Sequence, residues 1–304
     1  MTERLLVTGA SGLVGSRFVE LKSPDCEVLP TDINTFDITD RASVEKFISE
    51  NKPTAIIHFA GYTDVEGAEK ERGQESGPAW EVNVLGTRNI AETAAKNGVY
   101  MIHISTDFVF KGSEEDKGPY PEDKPLPTDN NGIGWYGWTK KLAEDEVRKA
   151  HPNASVARIS YPFRASFEGK KDFARSILAL YEAGTLYPLF SDQYLTPAFI
   201  DDIAKALNIL VNKKIPGTFH LVCTGVATPF EFGNYLLEKA KGVKDAVKPG
   251  SLKEFMSVPG RTPKPMYGGL LNEKTESVLG MKFLTWREAI DELVKQINSS
   301  KDQA

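Results

Sequence analysis

Residues 4–21 constrain the fold of this chain more than any other stretch. An apolar run, Arg4-Leu5-Leu6-Val7-Thr8, passes straight into Gly9-Ala10-Ser11-Gly12-Leu13-Val14-Gly15, and then into a helical pattern through Phe18, Val19 and Leu21. That order is a buried strand, a glycine turn and a helix. Glycines in such a turn permit a tight reversal. They also let backbone N–H groups at the positive end of the helix approach a pyrophosphate. The spacing is G-x-x-G-x-x-G, so Gly9, Gly12 and Gly15, with Ser11, Leu13 and Val14 between them, are candidate dinucleotide-binding residues. A plain turn also uses glycine, but the place between a first strand and a first helix favours the phosphate reading.

The alternation continues. Residues 27–31 read as a second strand with Asp32 at its end, where a carboxylate would accept hydrogen bonds from an adenosine ribose 2′-OH. It would repel a 2′-phosphate, so Asp32 tips the cofactor expectation from NADP(H) toward NAD(H). Arg17 tempers that preference, and Asp32 could also simply start a turn. Asp37, beside Ile38, could meet an adenine edge or cap locally, and Asp40 is a plausible cap for a helix over residues 41–50. Residues 54–61 form an apolar strand ending in Phe59-Ala60-Gly61, followed by Tyr62; small residues there let a ligand approach the backbone. His58 and His103, both mid-strand, read as satisfied core residues. Asp64, Glu66 and Glu69 complement a helix dipole, and no metal role is assigned.

A long helical pattern over residues 80–96 carries two unexpected residues, Asn83 and Gly86. The next strand, residues 101–106, delivers Ser105, Thr106 and Asp107 to the carboxyl edge of the sheet. Strands and helices alternating over residues 1–160 imply an α/β fold, a doubly wound parallel sheet of Rossmann type. A smaller, discontinuous C-terminal domain is expected beside it. The nucleotide-binding domain would take residues 1–160 plus about 198–223, and the substrate domain about 161–197 plus 224–304.

The chemistry is placed at Trp135-Tyr136-Gly137-Trp138-Thr139-Lys140. Residues i and i+4 of a helix share a face, so Tyr136 and Lys140 would point into one space. The ammonium is expected to lower the phenol's pKa toward neutral. Tyr120/Lys124 and Tyr235/Lys239 repeat the spacing. The first falls in a proline-rich loop over residues 111–133, and the second on an amphipathic helix beyond the alternating region. Trp135 and Trp138 could line a pocket or pin the loop.

With a net charge of −5 and no basic stripe, nucleic-acid binding is disfavoured. Cys26 and Cys223 match no metal or redox spacing. No apolar run approaches a membrane span, and the first strand begins too early for a secretory leader. A cytoplasmic protein without membrane partner or metal is therefore expected.

The glycine turn, Asn83-Val84-Leu85-Gly86-Thr87, Ser105-Thr106-Asp107 and Tyr136-x-x-x-Lys140 together resemble an extended short-chain dehydrogenase/reductase. More narrowly, the chain resembles the dTDP-4-dehydrorhamnose reductase group. That likeness rests on Ala60-Gly61-Tyr62-Thr63-Asp64-Val65, Ile104 to Phe110, Ser191-Asp192-Gln193 with Thr196-Pro197, Arg261-x-Pro263, and Leu284-x-Trp286-Arg287-Glu288. The resemblance implies that Tyr136 donates a proton to a sugar carbonyl, Lys140 binds the nicotinamide ribose, and Thr106 hydrogen-bonds the reacting oxygen. Hydride would pass to the 4-keto carbon of a nucleotide-activated sugar. The resemblance adds Ile38, Phe59, Ala60, Gly61, Tyr62, Asn83 and Ser105 to the cofactor set. Thr63, Val65, Thr106, Asp107, Tyr161, Gln193, Thr196 and Arg261 would face the substrate, with Arg158 a further candidate for its diphosphate. A homodimer is the family expectation.

The chain departs from the family pattern in a longer run from Pro127 to Trp135, an extension over residues 71–77, and Tyr161 where the family often has tryptophan. The alternatives are an NAD-dependent epimerase or dehydratase, and a non-catalytic regulatory subunit of methionine adenosyltransferase type.

Overall fold

The computed structural model describes residues 3–301. Contacts divide the chain into two compact units. The first comprises the residues up to Phe110, Pro125–Arg158 and Ala204–Phe219; the second comprises Lys111–Lys124, Ile159–Ile203 and the residues from His220 onward.

The first unit is built on a six-stranded sheet. Its strands include β1 (Glu3–Thr8), β2 (Cys26–Thr31), β3 (Ala55–His58), β4 (Tyr100–Thr106) and β5 (Ser155–Ile159), with Gly217–His220 at one edge. The order is β2-β1-β3-β4-β5 and then the edge strand, and β1 pairs in parallel with both β2 and β3. Every residue of β3 and β4 is buried. Helices cover both faces of a parallel sheet, so its strands are apolar runs rather than alternating ones. Chain order reverses between β1 and β3, and a doubly wound sheet offers its ligand crevice at such a switch point.

The glycine turn sits at that point. Gly9 has φ +66°, and a Cβ there would lie 2.8 Å from the Ala60 backbone nitrogen. A Cβ on Gly15 would lie 2.4 Å from the Gly9 carbonyl oxygen, so the helix Leu13–Leu21 packs on the turn only because residue 15 is glycine. Helix Arg41–Asn51 starts where Asp40 accepts from the Ala42 N–H at 3.0 Å.

The expected single helix over residues 80–96 is interrupted. Pro78–Trp80 is α-helical, Glu81–Gly86 is a π-turn, and Thr87–Lys96 resumes the α-helix. The π-turn contains the two residues that looked out of place. Gly86 admits Ile38, whose side chain lies 2.7 Å from where a Cβ would stand. Asn83 turns inward to the end of β3.

In the second unit, helices Phe173–Glu182, Pro229–Lys241 and Trp286–Lys301 surround a core of Phe163, Phe199, Phe232, Leu236 and Leu293. Thr228 and Glu231 form a reciprocal cap at the start of Pro229–Lys241. The boundaries differ from those expected, since residues 111–124 belong here rather than with the sheet. Tyr120 bridges Leu270, and Glu122 accepts from both the backbone and the hydroxyl of Thr275, at 2.8 and 2.6 Å. Pairings that distant in sequence leave no local pattern to read.

Candidate active site

Helix Trp135–Ala150 carries Tyr136 and Lys140. Its start lies hard against the segment that follows β4. A Cβ on Gly137 would stand 2.1 Å from the Phe108 carbonyl oxygen, so glycine there sets how near the helix approaches. Tyr136 is half-buried, meets Phe108 edge-on, and has the Thr106 hydroxyl beside it. Replacing Gly137 by alanine should cost ~1–3 kcal/mol through overpacking and draw Tyr136 away from Thr106. A thermal melt together with a turnover assay checks both effects.

The expected activation of the phenol by Lys140 is corrected. Burial pushes Tyr136 up to about 12; the nearby Thr106 hydroxyl draws it back, and Asp107 raises it again. Lys140 is turned elsewhere. Its Nζ donates to the Ile104 carbonyl at 2.7 Å and lies 3.3 Å from His103 Nε2. Burial lowers its own pKa to about 8, with Glu144 opposing. Tyr136 therefore stands as a protonated acid across the neutral range, beside a lysine able to hold or release its proton near neutrality.

Around this pair the structure sorts the candidates. Gly61 lies beside the lysine, since a Cβ there would be 4.0 Å from Lys140 Nζ. Phe59, Ala60, Gly61 and Tyr62 form the half-buried segment that follows β3. Ser11 and Gly12 are exposed at the turn, Leu13 and Val14 are half-buried, and no side chain caps the helix that follows. These features fit a dinucleotide. The cradle would be filled by any Cβ, and the helix end is left to the backbone. Asp32 Oδ1 accepts from the Asn34 N–H at 2.9 Å, and Asp37 Oδ1 from the Thr39 N–H at 2.8 Å. Both carboxylates thus shape turns whatever else they bind. Thr63 is exposed and Val65 half-buried just after Tyr62 in sequence, while Asp107 is buried with Thr106, whose hydroxyl donates to it at 3.1 Å.

Five candidates have side chains committed to partners within the protein. Asn83 is fully buried. Its Oδ1 accepts from the Tyr62 N–H at 2.8 Å, and its Nδ2 donates to the Tyr62 carbonyl and to Thr139 Oγ1 at 3.1 and 3.0 Å. It ties the segment after β3 to helix Trp135–Ala150, with both amide protons and an oxygen lone pair committed within the protein. Ser105 Oγ donates to Glu144 at 2.6 Å instead of facing the crevice. The Ile38 side chain packs in the core against Gly86, and its carbonyl receives Asn89 Nδ2 at 3.0 Å. Arg158 is 1 % exposed and forked onto Glu144, Nε to Oε1 at 2.9 Å and Nη2 to Oε2 at 2.8 Å. It is neither a diphosphate ligand nor a surface pair. Thr196 is fully buried, with Oγ1 donating to the Leu270 carbonyl and accepting its N–H, at 3.3 and 3.1 Å.

Within the second unit, Gln193 Nε2 donates to the Tyr161 hydroxyl and to the Pro265 carbonyl, both at 3.2 Å. Tyr161 has φ +44°, a conformation that costs a residue with a Cβ ~1–3 kcal/mol and tends to mark functional positions. Arg261 is exposed with its guanidinium 4.3 Å over the Phe255 ring, and it pairs with no carboxylate among the described residues.

The sequence reading missed how the long run before Tyr136 is held. Glu69 accepts from the Trp135 N–H at 2.8 Å and from Arg72 Nε at 2.6 Å, and Arg72 donates on to the Ile133 carbonyl at 2.6 Å. Trp135 is buried and stacks on Trp80 at 6.0 Å, so it pins the loop; Trp138 stays half-buried. The i+3 spacing of Glu69 and Arg72 was visible, but its long-range target was not.

A switch-point glycine turn with a Thr-Tyr-Lys set at the carboxyl edge of a parallel sheet defines an enzyme of the extended short-chain dehydrogenase/reductase class, which works with a nicotinamide cofactor. The chain belongs to the family described as the RmlD substrate binding domain, whose model matches residues 3–299. A dTDP-4-dehydrorhamnose reductase of Mycolicibacterium smegmatis is 30 % identical over 301 residues, covering 98 % of this chain and 86 % of the relative. The spore coat polysaccharide biosynthesis protein SpsK of Bacillus subtilis is 29 % identical, covering 98 % and 99 %. Among solved structures, a dTDP-4-dehydrorhamnose reductase from Bacillus anthracis in complex with NADP superposes with a TM-score of 0.85 at 28 % identity, covering 97 % of this chain and 100 % of that one. Among the described residues no helix is long and apolar enough to cross a membrane, and no cluster of His, Cys, Asp and Glu could hold a metal ion.

Proposed function

We propose that this protein reduces the 4-keto group of a dTDP-linked deoxysugar with NAD(P)H. The observation that carries the reading is the placing of Tyr136 and Lys140 on one helix, with the Tyr136 phenol beside the Thr106 hydroxyl at the end of β4. The names of the relatives carry the substrate class. A bound reduced nicotinamide supplies the hydride. Gly9, Gly12 and Gly15 hold the pyrophosphate, and the segment after β3 from Phe59 to Tyr62 lines the path beside it. Lys140 directs two of its three N–H groups at Ile104 and His103, and the third serves a ribose hydroxyl. Thr106 orients the carbonyl oxygen, and Tyr136 gives it a proton. Thr63, Val65 and Asp107 sit in sequence beside these groups and are assigned to the sugar. On the second unit, Tyr161 and Gln193 are assigned to the substrate, as is Arg261, whose exposed guanidinium suits a phosphate.

Asp32 favours NADH, against the NADP held by the Bacillus anthracis relative. Like charges about 4 Å apart at a protein surface repel by ~1–4 kcal/mol, so Asp32→Ala should raise the NADPH/NADH ratio of kcat/KM about tenfold.

The test is a panel of nucleotide-linked 4-keto-6-deoxysugars with each cofactor, followed by loss of nicotinamide absorbance. Consumption confined to dTDP-4-keto sugars is expected. Purified protein that retains tightly bound nucleotide and causes no net oxidation would assign it to the epimerase or dehydratase class. Failure on every sugar, with a stoichiometric enzyme partner captured, would assign it to the regulatory class.

A further inference from the structure

The interior behind the catalytic lysine holds polar groups that the proposed reaction does not use. His103 lies mid-β4, paired in register with His58 of β3, and both are fully buried. The two differ in how they are satisfied. His58 meets Thr8 Oγ1 through Nδ1 at 2.7 Å and Thr87 Oγ1 through Nε2 at 3.1 Å. His103 has one contact, Nε2 to Lys140 Nζ at 3.3 Å, and its Nδ1 finds no hydrogen-bond partner among the described residues. Buried polar groups are nearly always paired, and an apolar side chain would fill this strand position without that cost. The contact to Lys140 is what the imidazole gains over an apolar residue.

The polarity of that contact follows from inventory. An ammonium has donors only, so Nε2 must present its lone pair and the ring proton must sit on Nδ1. We propose that His103 is a positioning residue for Lys140, accepting from the buried ammonium through Nε2 and, with the Ile104 carbonyl, holding it charged and in place. The other groups around the lysine are Tyr136 and Glu144 on its own helix, His58 behind His103, Asp107 beside Tyr136, and Arg148 and Arg158 paired to Glu144. Among these, Glu144 favours the charged lysine while its pairs with Arg148 and Arg158 blunt it, and burial acts against it. An acceptor at His103 adds support from the strand side. When Lys140 loses its proton the amine keeps two N–H groups, enough for Ile104 and His103, so Nε2 goes on accepting, but the contact is no longer charge-assisted. The Nδ1–H tautomer of His103 is therefore set by Lys140, and its Nε2 senses the charge of the lysine.

Two arms test this, and the kinetic arm alone rests on the reductase reading. In isotope-labelled wild-type protein, the ring-nitrogen NMR signals of His103 are followed from about pH 6 to about pH 10, a range that spans a lysine lowered by burial. The expected result is an Nδ1–H tautomer across the range, an Nε2 signal that moves near pH 8 as the lysine loses its charge, and loss of that movement in Lys140→Met. An Nε2–H tautomer in the wild type, or a movement near pH 8 that survives Lys140→Met, would overturn the proposal whatever the substrate is. In the second arm, His103→Phe keeps a ring of similar size without an acceptor, and His103→Gln restores one. Losing a hydrogen bond to a charged group should move the alkaline limb of kcat/KM about one pH unit toward acid in His103→Phe and weaken reduced-cofactor binding about tenfold. His103→Gln should return both toward wild type. Equal loss in the two variants with an unmoved limb would mean the histidine only fills space. If neither variant folds, the NMR arm decides.

Discussion

Replacing Tyr136 by phenylalanine is expected to cut turnover by about 10²–10⁴-fold, the usual contribution of a positioned general acid, while leaving cofactor affinity and melting temperature near wild type. The phenol meets Phe108 edge-on beside the Thr106 hydroxyl, so phenylalanine keeps the ring packing and loses the transferable proton. Steady-state kinetics beside a cofactor titration checks this, and full turnover in Tyr136→Phe would remove the phenol from the mechanism. The pH dependence is distinctive. With Tyr136 near 12 and Lys140 near 8, the phenol keeps its proton throughout the working range. Activity should therefore fall as pH rises through about 8, when Lys140 loses its charge, and no acid limb should come from the phenol. A tyrosinate at neutral pH would give the opposite profile.

The parts of this molecule legible in its sequence are those governed by neighbours in the chain. A strand, three glycines and a helix declare themselves within residues 4–21, because turn geometry and burial act over a few residues. The i and i+4 relation puts Tyr136 and Lys140 on one helix face, and Thr106 ends its strand where apolar spacing said it would. What was misread was set by partners far away. The charge of Lys140 was assigned to the phenol four residues back, whereas its ammonium is held by Ile104 and His103 on another element. Asn83 looked like a cofactor contact, but its amide fastens Tyr62 to Thr139 across a π-turn that no residue pattern announces. Residues 111–124 looked like a loop of the first domain because their partners begin only at Met266. Spacing did hold one unread signal. Glu144 is one turn beyond Lys140, so an acid was certain to lie on the catalytic face once the helix was placed.

That acid governs the largest stability effect expected here. Glu144 is fully buried, with Arg158 forked onto it, Arg148 at 2.7 Å and Ser105 donating at 2.6 Å, and the Arg158 guanidinium rests 5.0 Å from the Phe110 ring centroid. Burial alone would raise its pKa. The charges and hydrogen bonds of Arg158 and Arg148, with Ser105, overcome that and hold it down to about 2. Arg158→Met leaves a buried carboxylate without its main partner, which costs ~3–5 kcal/mol. At a few degrees per kcal/mol for a large domain, the transition of the first unit should drop by roughly 10 °C. The sign of the pH effect separates this from lost packing. In the wild type the folded pKa lies below the unfolded value of 4.5, so the stabilisation is complete above 4.5 and is lost as pH falls toward about 2. In Arg158→Met, burial dominates and the folded pKa rises above the unfolded one. Protonation then relieves the variant, and its deficit should narrow as pH falls from neutral toward 4.5. Glu144→Leu combined with Arg158→Met removes both charges and should recover most of the loss, because apolar groups of similar volume replace a buried pair at little cost. Thermal melts of the three variants at neutral and mildly acid pH measure the effect. A deficit independent of pH, or a double variant no better than Arg158→Met, would show that the pair acts through shape and not through charge.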